Sequence, residues 1–339
     1  MALGGSNNAV GLEIDSGMVR AVEASGRAAR PKLITMTLGS LPDGSVDEGM
    51  VVNPREVGEA LSDLWRSRGL KSRNVLLGIS NQAVLVRYAT IPKVPPDKLN
   101  NVIKFHAQEN LPIPLDSVVM DYQVIGETVS SDGKTLLEVL LVAARRDMLR
   151  SFLEALELAK LEPVDIDVST LSLLQVLPKV ALDRTVAVVN VANGLSNILV
   201  ADHGRPRLAR LVSVKLKDLA DKAGFSLVDV LEINYNNSDH IRKAYYDWLS
   251  TLTAEIRSSL NYYQSQDNAS PLEAIIFNGR GGRLKGIDSQ LENALGLSVR
   301  LVNPFAGFIN ADRVTKESGL SAVEYAICAG LARRGLEGS

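Results

Sequence analysis

The chain has 339 residues, a length that suits two linked domains or one bilobed fold with a sizeable core. Hydrophobic residues make up 46% and charged residues 22% of the sequence, which excludes a disordered chain and a protein embedded in a membrane. With 37 basic and 39 acidic residues, the formal net charge of -2 excludes the basic surface expected for binding nucleic acid or anionic lipid. We therefore expect a globular protein whose partners are not recruited by bulk charge.

The single cysteine and the three histidines form no metal-binding pattern. Cys328 lies in an apolar run, which predicts a small core residue. A single cysteine in the chain is typical of a protein in the reducing cytoplasm. His106, His203 and His240 are too scattered for a ligand motif, so no structural metal is expected. No run approaches the roughly 20 apolar residues that span a bilayer, and residues 1–6 lack signal-peptide features. We expect a cytoplasmic protein that reaches a membrane only indirectly, through a partner.

The N-terminal part of the chain predicts a strand meander followed by a helix and a buried strand. Three short strands separated by Gly and Pro are predicted over residues 10–14, 18–24 and 33–38. Residues 54–69 predict an amphipathic helix, because apolar residues recur there at helical spacing behind an Asn53 cap and Pro54 in the first turn. The continuous apolar segment 75–79 then predicts a strand that is buried on both faces.

The same order of elements returns in the second half of the chain. Three strands are predicted over residues 186–191, 195–201 and 208–212, with helical segments from Lys215 onward. When residues 10–17 are aligned with residues 187–194, a strand, a polar residue and a glycine turn occur at the same positions in both segments. Residues 240–266 predict the longest helix, and the strand 272–277 feeds a glycine turn of the kind that binds ligands. The pattern predicts two copies of one α/β lobe.

A segment between the two copies has its own pattern of strand, helix, strand, strand and helix. Pro95 and Pro96 open its first helix, Pro112 and Pro114 end it, and apolar residues over 149–156 mark the second. This segment predicts a small inserted subdomain. The predicted organisation is a first lobe over 1–83 and 164–184, the inserted subdomain over 84–163, a second lobe over 185–319, and a C-terminal helix over 320–339 that packs back on the first lobe.

Several motifs together resemble a known protein family. The most specific are IPK at 91–93, HAQENLPIPL at 106–115 and VMDYQVIG at 119–126. Further matches are VAAR at 142–145, PVDID at 163–167, EIRSSLNYY at 255–263 and NPF at 303–305. They resemble the PilM family of type IV pilus assembly proteins, which belongs to the actin and Hsp70-like ATPases and is related to FtsA. The resemblance covers nearly the whole chain and implies a bilobed, actin-like, ribonuclease H-like duplicated α/β fold with a small subdomain inserted in the first lobe.

The resemblance also implies ATP with Mg²⁺ in the cleft between the lobes, with no other metal. In this family a hairpin turn from each lobe offers backbone N–H groups to the phosphates. The implied phosphate-binding residues are Asp15, Ser16, Gly17, Met18, Asn193, Gly194, Leu195 and Ser196, with Arg20 nearby. The implied adenosine-binding residues are Gly279, Arg280, Gly281, Gly282 and Arg283, together with Glu255, Ser258 and Ser259 on one face of the long helix. Taken singly, each glycine turn favours a plain hairpin, and it is their combined order that supports a nucleotide site.

Three positions that the actin-like ATPases use for hydrolysis depart from the family pattern. The aspartate expected at the end of the first strand is Glu13, the acidic residue expected after the strand through Asp167 is Ser169, and the aspartate expected in the second hairpin is Asn190. Serine cannot accept a proton from water near neutral pH, and asparagine carries no charge that attracts Mg²⁺, so we expect slow or no hydrolysis. Asp15 stands where the family usually has glycine, and its charge either weakens nucleotide binding or is balanced by Arg20 or Arg283. A structural pseudo-ATPase with an empty cleft is the alternative.

The resemblance implies that the protein partner is PilN, a membrane protein with a short N-terminal cytoplasmic tail. The tail is expected in a groove between the first lobe and the inserted subdomain, near Arg87, Lys104 and Tyr122. The implied function is a scaffold at the cytoplasmic face of the inner membrane, without nucleic-acid binding and without efficient catalysis.

Two other functions on this fold are weighed against the scaffold. An FtsA-like polymerising ATPase would end in a basic amphipathic helix, whereas residues 323–331 predict a small-residue helix that packs into the core. Self-association and filament formation through other surfaces stay open. A small-molecule kinase would need a carboxylate base, for which Glu13 or Asp15 could serve, but the PilM-like motifs would then be unexplained.

Overall fold

The computed structural model describes residues 8–110, 113–130, 132–266 and 269–337. Predictions that concern residues 1–6 and Pro112 lie outside these ranges. The chain divides into two compact units. Met1–Asn81 and Leu153–Ser339 form the first, here called the main body, and Gln82–Phe152 form the second, here called the insertion.

The first lobe of the main body begins with a strand meander and a capped helix. Its elements are β1 (Asn8–Asp15), β2 (Met18–Arg27), β3 (Arg30–Ser40), β4 (Val46–Asp47), β5 (Met50–Val51), α1 (Pro54–Arg68) and β6 (Asn74–Ile79). Helix α1 begins where the Asn53 side chain accepts a hydrogen bond from the Glu56 N–H at 3.3 Å. It ends at Gly69, whose φ of 66° lies in the left-handed region. The predicted cap and helix are thus confirmed.

The insertion is a three-stranded antiparallel sheet with a helix on one face. Its elements are β7 (Val84–Pro92), α2 (Pro96–Asn110), β8 (Val118–Val129), β9 (Thr135–Arg145) and the beginning of α3 (Arg146–Leu158). The central strand is β9, so β7 and β8 form the two edges of the described sheet. Helix α2 packs on the sheet through Ile103, which shares a buried cluster with Ile91, Leu137, Val139 and Leu141. The order of elements matches the predicted order.

The chain returns to the main body through the end of α3. The elements that follow are β10 (Glu162–Val168), α4 (Ser169–Ser172) and α5 (Lys179–Leu182). Strand β10 pairs in parallel with β6, which ties it to the sheet of the first lobe. The compact insertion therefore ends at Phe152, before the predicted limit at residue 163.

The second lobe repeats the strand meander and, in the described residues, adds four α-helices. Its elements are β11 (Thr185–Val191), β12 (Ser196–Asp202), β13 (Arg205–Val212), α6 (Leu216–Ala223), α7 (Asp239–Gln264), β14 (Ala274–Gly279), α8 (Ile287–Leu295), β15 (Ser298–Leu301) and α9 (Ala311–Ser318). Helix α7 is the predicted long helix, and the Ser238 hydroxyl caps it by accepting a hydrogen bond from the Ile241 N–H at 3.3 Å. The last helix of the chain is α10 (Ala326–Arg334).

The two lobes share one sheet topology. The strand orders are β10-β6-β1-β2-β3 in the first lobe and β13-β12-β11-β14-β15 in the second. In each sheet, the first three strands in chain order form an antiparallel meander. Two more strands lie on the other side of the first strand and run parallel to it. The repeated topology confirms the predicted duplicated, bilobed α/β fold.

Helix α10 lies in a core that the two lobes share. Its residues from Ala326 to Ala332 are buried, and the same hydrophobic cluster includes Val22 of the first lobe and Val188 of the second. Gly11 on β1 permits the close packing of α10, because a Cβ atom there would lie 2.1 Å from the Cys328 carbonyl oxygen. Cys328 is a buried core residue, as predicted. Within the described residues, no helix is both long and apolar enough to cross a bilayer.

Candidate functional site

The structure brings together the two hairpin turns that were predicted to bind phosphate. Asp15, at the end of β1, accepts hydrogen bonds from the Asn193 N–H and the Gly194 N–H, both at 3.0 Å. In return, the Asn193 side-chain amide donates to the Ser16 carbonyl oxygen at 2.9 Å. Three hydrogen bonds therefore join the turn of one lobe to the turn of the other.

Two glycines make this close contact possible. Gly17 has a φ of 74°, which lets the chain reverse between β1 and β2 without the steric cost that a side chain would carry. A Cβ atom at Gly194 would lie 3.0 Å from both the Asp15 carboxylate and the Ser16 hydroxyl. Leu195 and Ser196, the other predicted members of the second turn, are both buried, and Ser196 is the first residue of β12.

A buried arginine balances the acidic groups beside these turns. Arg20 is only 2% exposed, and its guanidinium lies 3.4 Å from a Glu13 oxygen and 3.1 Å from an Asp15 oxygen. The pairing of β1 with β2 places Glu13 directly opposite Arg20. Burial alone would lower the pKa of Arg20, but Glu13 and Asp15 outweigh it and raise that pKa above its ordinary value. The arginine therefore stays charged inside the protein.

The pKa of Glu13 is raised because its side chain is buried. Burial raises its pKa from the ordinary 4.5 to about 7, the attraction of Arg20 opposes that rise, and Asp15 adds to it. The Cys328 thiol lies 3.8 Å from the same carboxylate, and burial raises the pKa of that thiol. Glu13 therefore exchanges its proton near neutral pH.

The stability of the protein is expected to fall as the pH rises from about 5 to 8. The raised pKa means that folded Glu13 holds a proton that the unfolded chain releases above pH 4.5. The stabilisation from this bound proton is complete below pH 4.5 and is lost as the pH rises through about 7. The loss in the free energy of unfolding has an upper limit of about 3 kcal/mol. Urea unfolding at pH 5 and pH 8 measures the loss. Glu13→Gln should lose less stability over the same interval, and equal losses in the two proteins would contradict the assignment.

A small cavity lies behind the turns. This cavity has a volume of about 20 Å³, which is room for about one water molecule. The cavity is lined by Glu13, Ile14, Asp15, Gly49, Gly78, Ser80, Ser169, Ala192, Leu195 and Asn197. Ser169 opens α4 and faces this space, whereas Asn190 is buried in the middle of the second sheet between Asn197 and Asn278.

A second group of hydrogen bonds joins the lobes beside this cavity. The side-chain oxygen of Asn197 accepts from the Ser80 hydroxyl at 2.8 Å and from the Thr170 hydroxyl at 2.6 Å. Asn197 belongs to the second lobe, and the two hydroxyls belong to the first. We did not predict these three residues, because no spacing in the sequence relates them.

The glycine turn predicted to hold adenosine is packed against protein. Gly279 has a φ of 83°, and a short 3-10 helix follows over Arg280–Arg283. A Cβ atom would lie 2.7 Å from the Val191 side chain at Gly281 and 2.9 Å from the Val323 side chain at Gly282. These two glycines therefore allow the turn to pack closely on the end of β11 and on the segment that precedes α10.

The two arginines of this turn are bound to acidic residues that the sequence analysis missed. Arg280 is buried, with Nε 3.6 Å from a Glu324 oxygen and Nη2 donating to the Leu227 carbonyl at 2.8 Å. Burial lowers the pKa of Arg280 to about 10, Glu324 opposes this shift, and Arg20 adds to it. Arg283 pairs with Glu324 at 3.1 Å and with Glu232 at 2.6 Å. Glu324 could have been noticed as a lone acidic residue in an apolar helical segment.

A larger cavity lies beside the first turn and this pair of arginines. It has a volume of about 300 Å³ and is lined by Met18, Leu38, Gly39, Ser40, Val228, Arg280, Arg283, Gly319, Leu320, Ser321, Glu324 and Tyr325. Met18, Arg280 and Arg283 are the predicted nucleotide-binding residues that it includes.

The remaining predicted adenosine residues contact a different strand. Arg210 on β13 donates to the hydroxyls of Ser258 and Ser259, at 3.5 and 3.1 Å, and pairs with Glu255 at 3.3 Å. In the sheet, β12 and β11 separate β13 from β14, which carries the glycine turn. The helical face was predicted, but not the strand on which it packs, and a ligand-binding role for these three residues stays a prediction.

The three predicted partner-binding residues lie around one face of the insertion. Arg87 and Tyr122 pair with the same residue of β9, Leu141, so they form a single row across the sheet. The Tyr122 hydroxyl donates to the Asn100 side chain of α2 at 2.6 Å. Lys104 is an exposed residue of α2, next to the buried Ile103. The structure thus places all three near the side of the sheet that α2 covers.

The two turns can be compared with what a bound nucleotide requires. Phosphate oxygens bind to free backbone N–H groups at such turns. Here the N–H groups of Ser16, Asn193 and Gly194 all donate to the Asp15 carboxylate, at 2.8 to 3.0 Å. A phosphate at this position would find its donors taken and a negative charge beside it. In this arrangement the residues do not fit the phosphates of a nucleotide.

Comparison with known proteins agrees with the class of protein that the fold defines. Two lobes of repeated topology, with a hairpin turn from each meeting at the cleft, define an actin-like protein. The chain also matches the family model for "Type IV pilus assembly protein PilM" over residues 11–210 and 237–336. It belongs to that family, as the motifs in the sequence predicted.

Solved structures show the same relationship. A "PilM-PilN type IV pilus biogenesis complex" aligns with 28% sequence identity and a TM-score of 0.83, over 97% of this chain and 98% of that chain. The ethanolamine utilization protein EutJ from Carboxydothermus hydrogenoformans aligns with 12% identity and a TM-score of 0.57, over 96% and 89% of the two chains. MreB5 of Spiroplasma citri bound to AMPPNP aligns with 10% identity and a TM-score of 0.52, over 96% and 95%. The last two show the shared fold alone.

Proposed function

We propose that this protein is a cytoplasmic scaffold of the type IV pilus assembly platform at the inner membrane, and that it binds the N-terminal tail of a PilN-like membrane protein. The observation that carries the proposal is the match to a PilM-PilN complex along almost the entire length of both chains. The proposed function is binding and not catalysis, because Ser169 and Asn190 stand where the resemblance to the actin-like ATPases implies acidic residues for hydrolysis. ATP with Mg²⁺ in the cleft and self-association stay predictions.

The insertion offers a suitable surface for an extended peptide. A strand at the edge of a sheet has backbone N–H and C=O groups that can pair with a peptide, while side chains on that strand give specificity. Strand β8 is such an edge, and it carries the exposed apolar residues Val119, Val124 and Val129. Exposed apolar residues on an open edge favour self-aggregation unless a partner covers them. We propose that the tail adds as a strand to β8, beside Tyr122.

Calorimetric titration with a synthetic PilN-like tail peptide tests this function. Tyr122→Ala and Val124→Glu are each expected to weaken the peptide about tenfold, because they remove apolar contact or add a charge at the edge. Tyr122→Phe keeps the ring and should bind nearly as well as the wild type. Lys134→Glu, at the exposed turn between β8 and β9, is the matched control and should leave the affinity unchanged.

Each outcome of the titration has a defined meaning. Absence of peptide binding by the folded wild-type protein would overturn the scaffold function. Arg87 lies on the opposite edge strand, β7. Loss of binding in Arg87→Ala but not in Tyr122→Ala would therefore indicate that the peptide binds at the β7 edge. Loss of binding in Lys104→Glu alone would place it on helix α2.

A further inference from the structure

The strongest unexplained feature of the main body is the number of donors around Asp15. Its carboxylate accepts hydrogen bonds from the Ser16 N–H at 2.8 Å, from the Asn193 and Gly194 N–H groups at 3.0 Å, and from Arg20 at 3.1 Å. Two of these donors belong to the other lobe. Asp15 is only 6% exposed, so the group is a buried anion whose acceptor sites are all used.

This arrangement supplies from within the protein what a bound phosphate would supply from outside. Backbone N–H groups at a turn attract an anion, and the source of that anion does not matter. A carboxylate attached to the facing lobe is present at a high effective concentration and needs no free ligand. The buried Arg20 balances its charge, so the contact does not leave an unpaired anion in the core.

We propose that Asp15 replaces a nucleotide phosphate as the anion that joins the two turns, so that the lobes close without nucleotide. A nucleotide can then use the N–H groups of Asn193 and Gly194 only by displacing Asp15. The second group of contacts, from Ser80 and Thr170 to Asn197, also joins the two lobes beside these turns. This inference concerns the main body and does not depend on the binding of the PilN-like tail.

Hydrogen exchange of the full-length protein tests the inference directly, because it reports on the two amides concerned. In the nucleotide-free wild type, the amides of Asn193 and Gly194 are expected to exchange slowly. In Asp15→Gly they should exchange at least about tenfold faster, since a hydrogen bond to a charged group is lost. Mg-ATP should restore their protection in this variant. Asp43→Gly, at an exposed turn of the same lobe, is the control and should exchange like the wild type.

A titration with Mg-ATP supplies the second readout. Asp15→Gly is expected to bind Mg-ATP about ten- to a hundredfold more tightly than the wild type, because both a competing acceptor and a negative charge are removed. Asp15→Asn keeps the size of the side chain and loses its charge, so it tests the same point if the glycine variant does not fold. Binding of the tail peptide should be unchanged in both variants.

Three results would overturn the inference. One is fast exchange of the Asn193 and Gly194 amides in the nucleotide-free wild type. Another is equally slow exchange in wild type and Asp15→Gly, which would show that Asp15 does not protect them. The third is Mg-ATP binding by the wild type that is as tight as binding by Asp15→Gly or Asp15→Asn.

Discussion

Replacing Arg20 with methionine is expected to lower the free energy of unfolding at pH 7.5 by about 3 to 5 kcal/mol. The change removes the cation that lies between Glu13 and Asp15, and both carboxylates are buried. An uncompensated buried charge has no water to solvate it, so breaking such a pair costs far more than losing an exposed one. Methionine fills much of the same volume, which limits the contribution of a cavity to the loss.

Urea unfolding of the Arg20→Met variant measures this effect. Arg55→Met is the matched control, because Arg55 forms an exposed pair with Glu59 on α1 and should cost less than about 1 kcal/mol. Adding Glu13→Gln to Arg20→Met should recover part of the loss, since one of the two unpaired acidic groups is then removed. A loss no larger than that of the control would contradict the role assigned to Arg20.

Replacing Gly11 with alanine is expected to destabilise the protein by about 3 kcal/mol or more. The added Cβ atom would lie 2.1 Å from the Cys328 carbonyl oxygen and 2.6 Å from the Ala332 backbone nitrogen. Both atoms belong to the backbone of α10, so the clash cannot be relieved by rotating a side chain. Either the helix or strand β1 must move, and each lies in the shared core.

Thermal and urea unfolding of Gly11→Ala check this expectation against a second glycine. Gly44 has a φ of 76° and no atom within 4 Å of an added Cβ, so Gly44→Ala tests backbone strain without a clash. The cost of that change should be about 1 to 2 kcal/mol. If Gly11→Ala proved as mild as Gly44→Ala, α10 would not be packed as closely on β1 as the structure shows.

Much of the local structure could be predicted because its causes lie within a few residues. The cap at Asn53 and the helical spacing of apolar residues defined α1, and similar spacing defined α7. The repeated order of strands and turns predicted two lobes of one topology, which the two sheets confirm. The family motifs agreed with the match to the PilM family model.

The partners of the site residues could not be predicted in the same way. Asp15 was recognised as an unusual acidic residue at a glycine position, but its contacts with Asn193 and Gly194 span 178 and 179 residues of sequence. Arg210 and Glu255 are likewise partners only because α7 packs on β13. Hydrogen bonds over such separations depend on the packing of whole lobes, which no local pattern encodes.

The sequence by itself determined the class of fold, the family and the residues that form the two turns, because periodicity and motifs are local properties of the chain. Only the tertiary structure decided that the Asp15 carboxylate occupies the N–H groups of the opposite turn and that Arg20 is buried between two acids. The physical reason is that a charged group in the core is stabilised by whichever partners the fold places within about 3 Å.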